Sequence, residues 1–425
     1  MLFSLVKANT RKNTIVVLDG VRAVACLLVI FYHINLINLR LHVWQPAALG
    51  PFITALAVAG GSGVTLFFLL SGFLLFLPYA RALLCGADWP SARQFYLRRA
   101  LRIMPCYYLS LFLLILVQEP RYLQPAHLQE LGLFLSFFMD SSRATFRVLD
   151  GPLWSLAIEW QFYLLLPWLA LLFRWIIGKG TQRKRWCLLL VCLLLMEVWG
   201  IGTHYWGNYY LANPQQTVLV PRPLLNVILF FSYGIIGKFL EDFAIGMGIA
   251  ACYVLAQQAG WDGLLAGLRR WSVWLWWAGL CVLGFMALWN CNQMFRHSIA
   301  LLDPLYPAYE FYSEAGLSLG FGLCLLAILF GPASLQRPFR WVPLRWLGLI
   351  SYSLYIWHLP LLVNFGDHIQ AYIAGWNGYL SYCLFWLFAV LLIFPFAYTF
   401  YIWIEQPGIQ LCDSLRKQKS GEKLA

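Results

Sequence analysis

The chain has 425 residues, of which 61% are hydrophobic and 11% charged, with a formal net charge of +12 and a mean hydropathy of +0.69. A soluble domain carries about 25% charged and about 45–50% apolar residues, so a soluble enzyme, a disordered chain, a collagen-like repeat and a small disulfide scaffold are excluded. An all-α polytopic membrane protein is the class left, and the basic excess reads as loop charge rather than a nucleic-acid surface. The 21 Trp fit interfacial belts. The cysteines lie mostly in apolar runs, as Cys187, Cys192, Cys252 and Cys383 do, with no CxxC or Cys/His zinc spacing; neither a metal site nor a disulfide framework is expected.

Apolar stretches long enough to span lipid fall at 17–38, 52–78, 104–119, 153–177, 186–206, 239–257, 272–290, 314–331, 347–365 and 379–403. This predicts ten transmembrane helices in one membrane domain over 1–425. Residues 222–238 read as an amphipathic or re-entrant lead-in to the sixth span, and the run near 131–139 as an interfacial helix. The first apolar run follows Lys7, Arg11 and Lys12 like a signal peptide. No small-residue cleavage site follows it and Asp19 and Arg22 interrupt its start, so it reads as an uncleaved span. With both termini placed in the cytoplasm, 22 of the 30 basic residues fall in cytoplasmic segments. Six fall outside, namely Arg40, Arg121, Arg143, Arg147, Arg222 and Arg296; Arg22 and Lys238 lie within or beside spans. That asymmetry is what the positive-inside rule requires.

Ionisable groups inside spans are expensive, so each is a functional candidate. In the first span Arg22 and His33 are eleven residues apart, which puts them within ~20° on one face and ~16 Å apart along the axis. Asp19 lies one turn before Arg22, placed to pair with it. The plainer readings are a packing histidine and a snorkelling arginine. In the fourth span Ser155, Glu159 and Tyr163 share a face, with Glu159 ~9 Å below the outer edge. His358 of the ninth span falls at ~10 Å and His33 at ~8 Å. Three ionisable groups from three spans are therefore expected at one depth. Before the third span, Arg99 and Arg102 are one turn apart, a spacing that clamps phosphates or simply supplies positive-inside charge. The Gly60-Gly61-Ser62-Gly63 run lacks a Walker lysine and a preceding strand; close helix packing or a broken helix is the better reading.

The ordered set of motifs resembles the acyltransferase-3 family of membrane O-acyltransferases. The matching pieces are Leu18-Asp19-Gly20-Val21-Arg22 to Tyr32-His33, Phe67-Phe68-Leu69-Leu70-Ser71-Gly72-Phe73, Arg99-x-x-Arg102, Trp154-Ser155 to Glu159-x-x-Phe162-Tyr163, Ser351-Tyr352-Ser353-Leu354-Tyr355-Ile356-Trp357-His358, and Tyr401-Ile402-Trp403-Ile404-Glu405-Gln406-Pro407. Each is loose; their order along nearly the whole chain is specific. The resemblance implies ten spans in the plasma (inner) membrane. It implies a cytoplasmic acyl-CoA donor, usually acetyl-CoA, and an acceptor hydroxyl that is often on a glycan. It implies that Arg22 and His33 are essential and that Arg99 and Arg102 serve the donor. Some members carry a fused extracytoplasmic hydrolase-like domain. This sequence shows none, so direct acylation or a separate extracytoplasmic transferase partner is expected. The 207–222 and 291–313 segments are candidate acceptor loops by position.

On this reading His33 is the general base. Glu159 orients that imidazole or holds acceptor hydroxyls. Tyr355, Ser71 or His358 stabilises the oxyanion, and an acyl-histidine intermediate is the other chemical route. A longer or succinyl donor is a variant of the same chemistry. The alternative from another class is a secondary transporter or flippase for a polar or lipid-linked sugar, which also needs buried His, Glu and Arg; no internal repeat supports it.

Overall fold

The computed structural model describes residues 15–43, 50–212, 224, 227–232, 234–373 and 375–421. Lys7, Arg11 and Lys12, most of the 207–222 loop with Arg222, and the last four residues of the C-terminal tail lie outside the described residues.

Among the described residues the regular elements are helices, with no β-strand. In chain order they are α1 (Val17–Arg40), α2 (Gly50–Val58), α3 (Gly63–Cys85), α4 (Ala92–Val117), α5 (Leu128–Leu135), α6 (Leu153–Ile177), α7 (Gln182–Ala212), α8 (Leu240–Leu255), α9 (Asp262–Met294), α10 (Tyr309–Phe330), α11 (Val342–Leu349), α12 (Ser351–Ile373) and α13 (Gly378–Cys412). Eight spans are long and apolar enough to cross a bilayer, one of them formed by α2 and α3 through the 3₁₀ turn Ala59–Ser62. A ninth arises if α11 and α12, bent by 75° at Ile350, count as one broken span. The expected tenth is α8. Its 16 residues reach about 24 Å, short of the ~30 Å hydrocarbon thickness, and most of them are buried against neighbouring helices. α4 begins well before the expected 104, so Arg99 and Arg102 are helical residues rather than loop ones. The short run near 131–139 is α5. The described residues of the 222–238 lead-in are short helical and turn pieces followed by an isolated bridge between Ile235 and Gly237.

Interior prolines at Pro78, Pro105, Pro167 and Pro360 sit inside helices, as lipid-embedded bundles allow. Close packing comes from small residues. A Cβ at Gly72 would collide with the Phe243 backbone and one at Gly246 with the Leu69 carbonyl, so α3 and α8 touch along their backbones. Phe162 of α6 stacks on Phe243 of α8 at 3.8 Å between ring centroids. The outward surface is apolar: Trp175 is 81% exposed and Val117 78%, which only a lipid-facing belt tolerates.

One polar network ties the loop after α5 to the segment before α8. Lys238 Nζ donates to Asp140 Oδ2 (2.5 Å) and Gln161 Oε1 (2.7 Å), and Gln161 Nε2 donates to Asp140 Oδ1 (2.7 Å). All three side chains are buried, and each partner satisfies the others.

Candidate active site between two abutting cavities

Helices α1, α3, α6 and α12 each contribute residues to both of two cavities. α1 and α12 run from one cavity to the other; α3 and α6 run back. The larger cavity, about 1190 Å³, is lined by Asp19 and Arg22 of α1, Ser71 and Arg81 of α3, Arg99 and Arg102 of α4, and Ser155, Glu159 and Tyr163 of α6. Arg340, Tyr352 and Tyr355 complete its polar wall. The second, about 760 Å³, is lined by Tyr32, His33, Arg147, Trp154, His204, Tyr309, Glu310, Glu314 and Tyr355, among others. A single helix thus contributes Arg22 to the first cavity and His33 to the second, as an eleven-residue separation on one face requires.

The larger cavity is cationic. Five guanidiniums face two carboxylates, Asp19 and Glu159. Asp19 forms an ion pair with Arg345 (3.5 Å) and is also attracted by the charge of Arg22, the neighbour its spacing pointed to. The bend at Ile350 lays α11 along the start of α1, which brings Arg345 to this carboxylate. Arg102 Nε lies 4.0 Å from Glu405, whose other oxygen accepts from Ser353 Oγ (2.8 Å). Arg99 sits over the Tyr163 ring at 5.7 Å. Ser155, Glu159 and Tyr163 share this wall, as their spacing implies.

Glu159 stands apart from the histidines. It accepts from the hydroxyls of Ser71 and Tyr163 and lines the arginine cavity, so the expected common depth of Glu159 with His33 and His358 does not hold. Counting residues from each helix end ignores tilt and the different levels at which helices meet the surface. The same bond commits the single Ser71 hydrogen to Glu159 and takes it from the oxyanion role considered above.

The two histidines do meet. His358 Nδ1 lies 2.7 Å from the Tyr355 carbonyl, and its Nε2 lies 3.1 Å from His33 Nδ1, which is also 2.9 Å from the Val29 carbonyl. A carbonyl only accepts, so His358 carries its proton on Nδ1 and its Nε2 is an acceptor. His33 then donates from Nδ1, shared between Val29 and His358. Its Nε2 is left with a free lone pair on a residue that lines the second cavity. In this tautomer His358 has no hydrogen to spare for an oxyanion.

The two cavities meet at Val64 and Tyr355, which line both. The Tyr355 hydroxyl is 2.6 Å from Ser155 Oγ. Ser155 Oγ also donates to the Pro152 carbonyl (2.9 Å), which in addition accepts from the Ser155 backbone N–H (3.2 Å). The Tyr355 hydroxyl also makes a long contact of 3.5 Å to the Pro152 carbonyl; when the Ser155 hydroxyl turns its hydrogen to Tyr355, the phenolic hydrogen can go to that carbonyl or to a group at the junction.

Several lining residues escaped the sequence reading. Arg81 and Arg340 passed as loop charge. Arg147 did too, yet it packs over Trp154 (5.1 Å) beside His33, with a left-handed φ of 58°. The detectable signal was elsewhere: Glu241 and Glu314 fall inside or at the edge of apolar spans, and the fold pairs them with His204 and Thr65. Asp150, just before α6, is buried with neither oxygen partnered among the described residues; burial pushes its carboxyl well above the usual carboxylate range.

The profile of the acyltransferase-3 family, described as an acyltransferase domain, matches residues 15–402. The chain is 28% identical over 369 residues to the peptidoglycan O-acetyltransferase OatA of Listeria monocytogenes, covering 81% of this chain and 49% of that protein. It is 26% identical to the putative peptidoglycan O-acetyltransferase YrhL of Bacillus subtilis, covering 81% and 48%. It is also 26% identical to nodulation protein 10 of Rhizobium leguminosarum, covering 83% of each. The chain thus spans about half the length of the two peptidoglycan O-acetyltransferases. No solved structure matches it. A match over almost every helix that builds the two cavities establishes that the chain belongs to the acyltransferase-3 family.

Proposed function

We propose that this protein is an O-acyltransferase of the plasma (inner) membrane that moves an acyl group, acetyl in the simplest case, from acyl-CoA to a hydroxyl of a carbohydrate acceptor. The donor phosphates bind among Arg99, Arg102, Arg22, Arg81 and Arg340 in the cationic cavity, which opens to the cytoplasm. The pantetheine arm runs along α1 and α12 to the junction at Tyr355. The acceptor binds on the other side, among Trp154, Arg147, Tyr309 and Glu310, where aromatic faces and charged hydrogen-bonding groups suit a sugar. The relatives named as peptidoglycan O-acetyltransferases support a glycan acceptor of the envelope. A separate extracytoplasmic transferase that passes the acyl group onward is compatible with this scheme.

His33 Nε2 takes the proton from the acceptor hydroxyl as the oxygen attacks the thioester carbonyl. The oxyanion accepts from the Tyr355 hydroxyl. The C–S bond breaks, the thiolate recovers the proton from His33, and the products are an ester and free CoA thiol. Glu159 tempers the arginine field and fixes Ser71 and Tyr163; it is a positioning residue. The observation that carries this reading is the His358–His33 contact, which leaves a basic nitrogen at the edge of one cavity while a cationic cavity abuts it.

The test uses labelled acetyl-CoA with the protein in proteoliposomes, following thiol release and label in glycan. Wild type should release thiol and transfer label, and His33→Ala should lose about 10²–10⁴-fold of that rate while still inserting. Full activity in His33→Ala, or uptake of label without thioester cleavage, overturns the proposal; the second outcome favours the transporter.

A further inference from the structure

The walls that the two cavities share are Val64, at the start of α3, and Tyr355 of α12. Neither wall is free to retreat. Gly60 and Gly63 press the turn before α3 onto α1: a Cβ at Gly60 would collide with the Leu28 carbonyl, and one at Gly63 with the Ala25 carbonyl and the Val29 side chain. Val64 therefore sits at a point fixed by backbone contact, where branching at its Cβ also limits its rotamers. The Tyr355 ring is held by the edge of Phe67, one turn beyond Val64 (5.6 Å between centroids), by the His358 ring (5.7 Å) and by the hydrogen bond to Ser155.

A donor anchored by its phosphates in the arginine cavity has to present its thioester to His33 past Val64 and Tyr355. The pantetheine arm is an unbranched chain and passes wherever its own cross-section fits. The acyl group leads it. We infer that Val64 and Tyr355 form an aperture that selects the acyl group by cross-section, admitting slender unbranched acyl chains and holding back those branched next to the carbonyl. This rests on the donor reading above and goes beyond it by naming the residues that set acyl specificity. It requires no bond beyond those of the transfer itself. The carbonyl oxygen stops beside the Tyr355 hydroxyl, and the first acyl carbon lies against Val64, where branching would meet a wall that the glycines keep from moving.

The experiment needs no acceptor. The full chain in lipid nanodiscs is irradiated with two acyl-CoA probes, one bearing a diazirine on a linear butanoyl chain and one on an isobutyryl-type branched acyl. Labelled peptides are mapped by mass spectrometry, with excess acetyl-CoA as competitor. The linear probe should label the peptides around Val64, Tyr355 and His33. The branched probe should label these about 10–200-fold less, the range that an added methyl commands in a closed apolar site, and mark the walls near Ser71 and Tyr352 instead. Val64→Ala should let the branched probe cross. Val64→Phe should hold the linear probe back with its total competable label retained, and Val64→Leu does so more mildly where the phenylalanine variant fails to assemble. Equal crossing of both probes in wild type, or an unchanged pattern in Val64→Ala, overturns the aperture and leaves the donor site standing. No label that acetyl-CoA competes away overturns the donor site and the aperture together.

Discussion

Nε2 of His358 lies 3.1 Å from Nδ1 of His33, and this contact decides which nitrogen of His33 keeps a free lone pair. The Tyr355 carbonyl fixes His358, and His358 in turn fixes His33, so the His33 ring is oriented by a chain that ends on α12 backbone. This is a positioning role, since His358 offers its own nitrogens to protein groups alone.

His358→Phe removes the acceptor that helps hold the His33 Nδ1 hydrogen. The expected result is a fall in kcat of about 100-fold, the low end of what a positioned base contributes, with donor KM unchanged and the kcat pH profile displaced. A variant that keeps the wild-type kcat and profile removes His358 from the relay.

Arg99 and Arg102 face the same cationic cavity. Replacing either by alanine should raise donor KM by roughly 10–100-fold, from about 1.5–3 kcal/mol per hydrogen bond to a charged group. Lysine should rescue only in part, because it lacks the planar fork. Titration of the donor against the double variant is the check, and an unchanged KM there would count against phosphate binding at these residues.

Lys238 and Asp140 form a buried pair completed by Gln161. Lys238→Met leaves the Asp140 carboxylate buried without its cation, which should cost about 3–5 kcal/mol. Thermal unfolding in detergent should show a marked loss that Asp140→Asn, added to Lys238→Met, partly restores. Equal melting temperatures for wild type and the single variant would show that the network contributes nothing to stability.

Asp150 makes stability depend on pH in a defined direction. Burial raises its folded pKa, so the folded state holds the proton over a range where the unfolded chain has released it. Its contribution is fully present below the unfolded value, about 3.9, and is lost as pH rises toward the folded value. Asp150→Asn abolishes this dependence. The variant should melt with wild type near pH 4 and above it near pH 8. A difference that is the same at both pH values would exclude Asp150 as the titrating group.

Much of the architecture was legible in the chain because lipid imposes a severe rule: a helix must be long, apolar and continuous to cross. The bounds of α6 and the start of α1 follow from that rule directly. α8 was harder. Its flanking 222–238 segment is as apolar as a span, and only packing against neighbouring helices explains a buried helix of 16 residues. The early start of α4 was missed because arginines look like loop to a hydropathy reading, whereas the structure keeps them helical and turns them into a cavity.

The sequence by itself determined that this is a helical membrane protein whose intramembrane Arg22, His33, Glu159 and His358 need interior partners, because unpaired charge and free backbone are both intolerable in hydrocarbon. Helical periodicity also put Arg22 and His33 on one face. Only the tertiary structure decided which groups meet. It paired His358 with His33, brought Arg345 to Asp19, and sent Glu159 to Ser71 and Tyr163. It also set Val64 and Tyr355 between two cavities. Those choices depend on tilt, on the bend at Ile350 and on glycine-mediated contact between helices, which act between segments far apart in the chain and leave no period in the sequence.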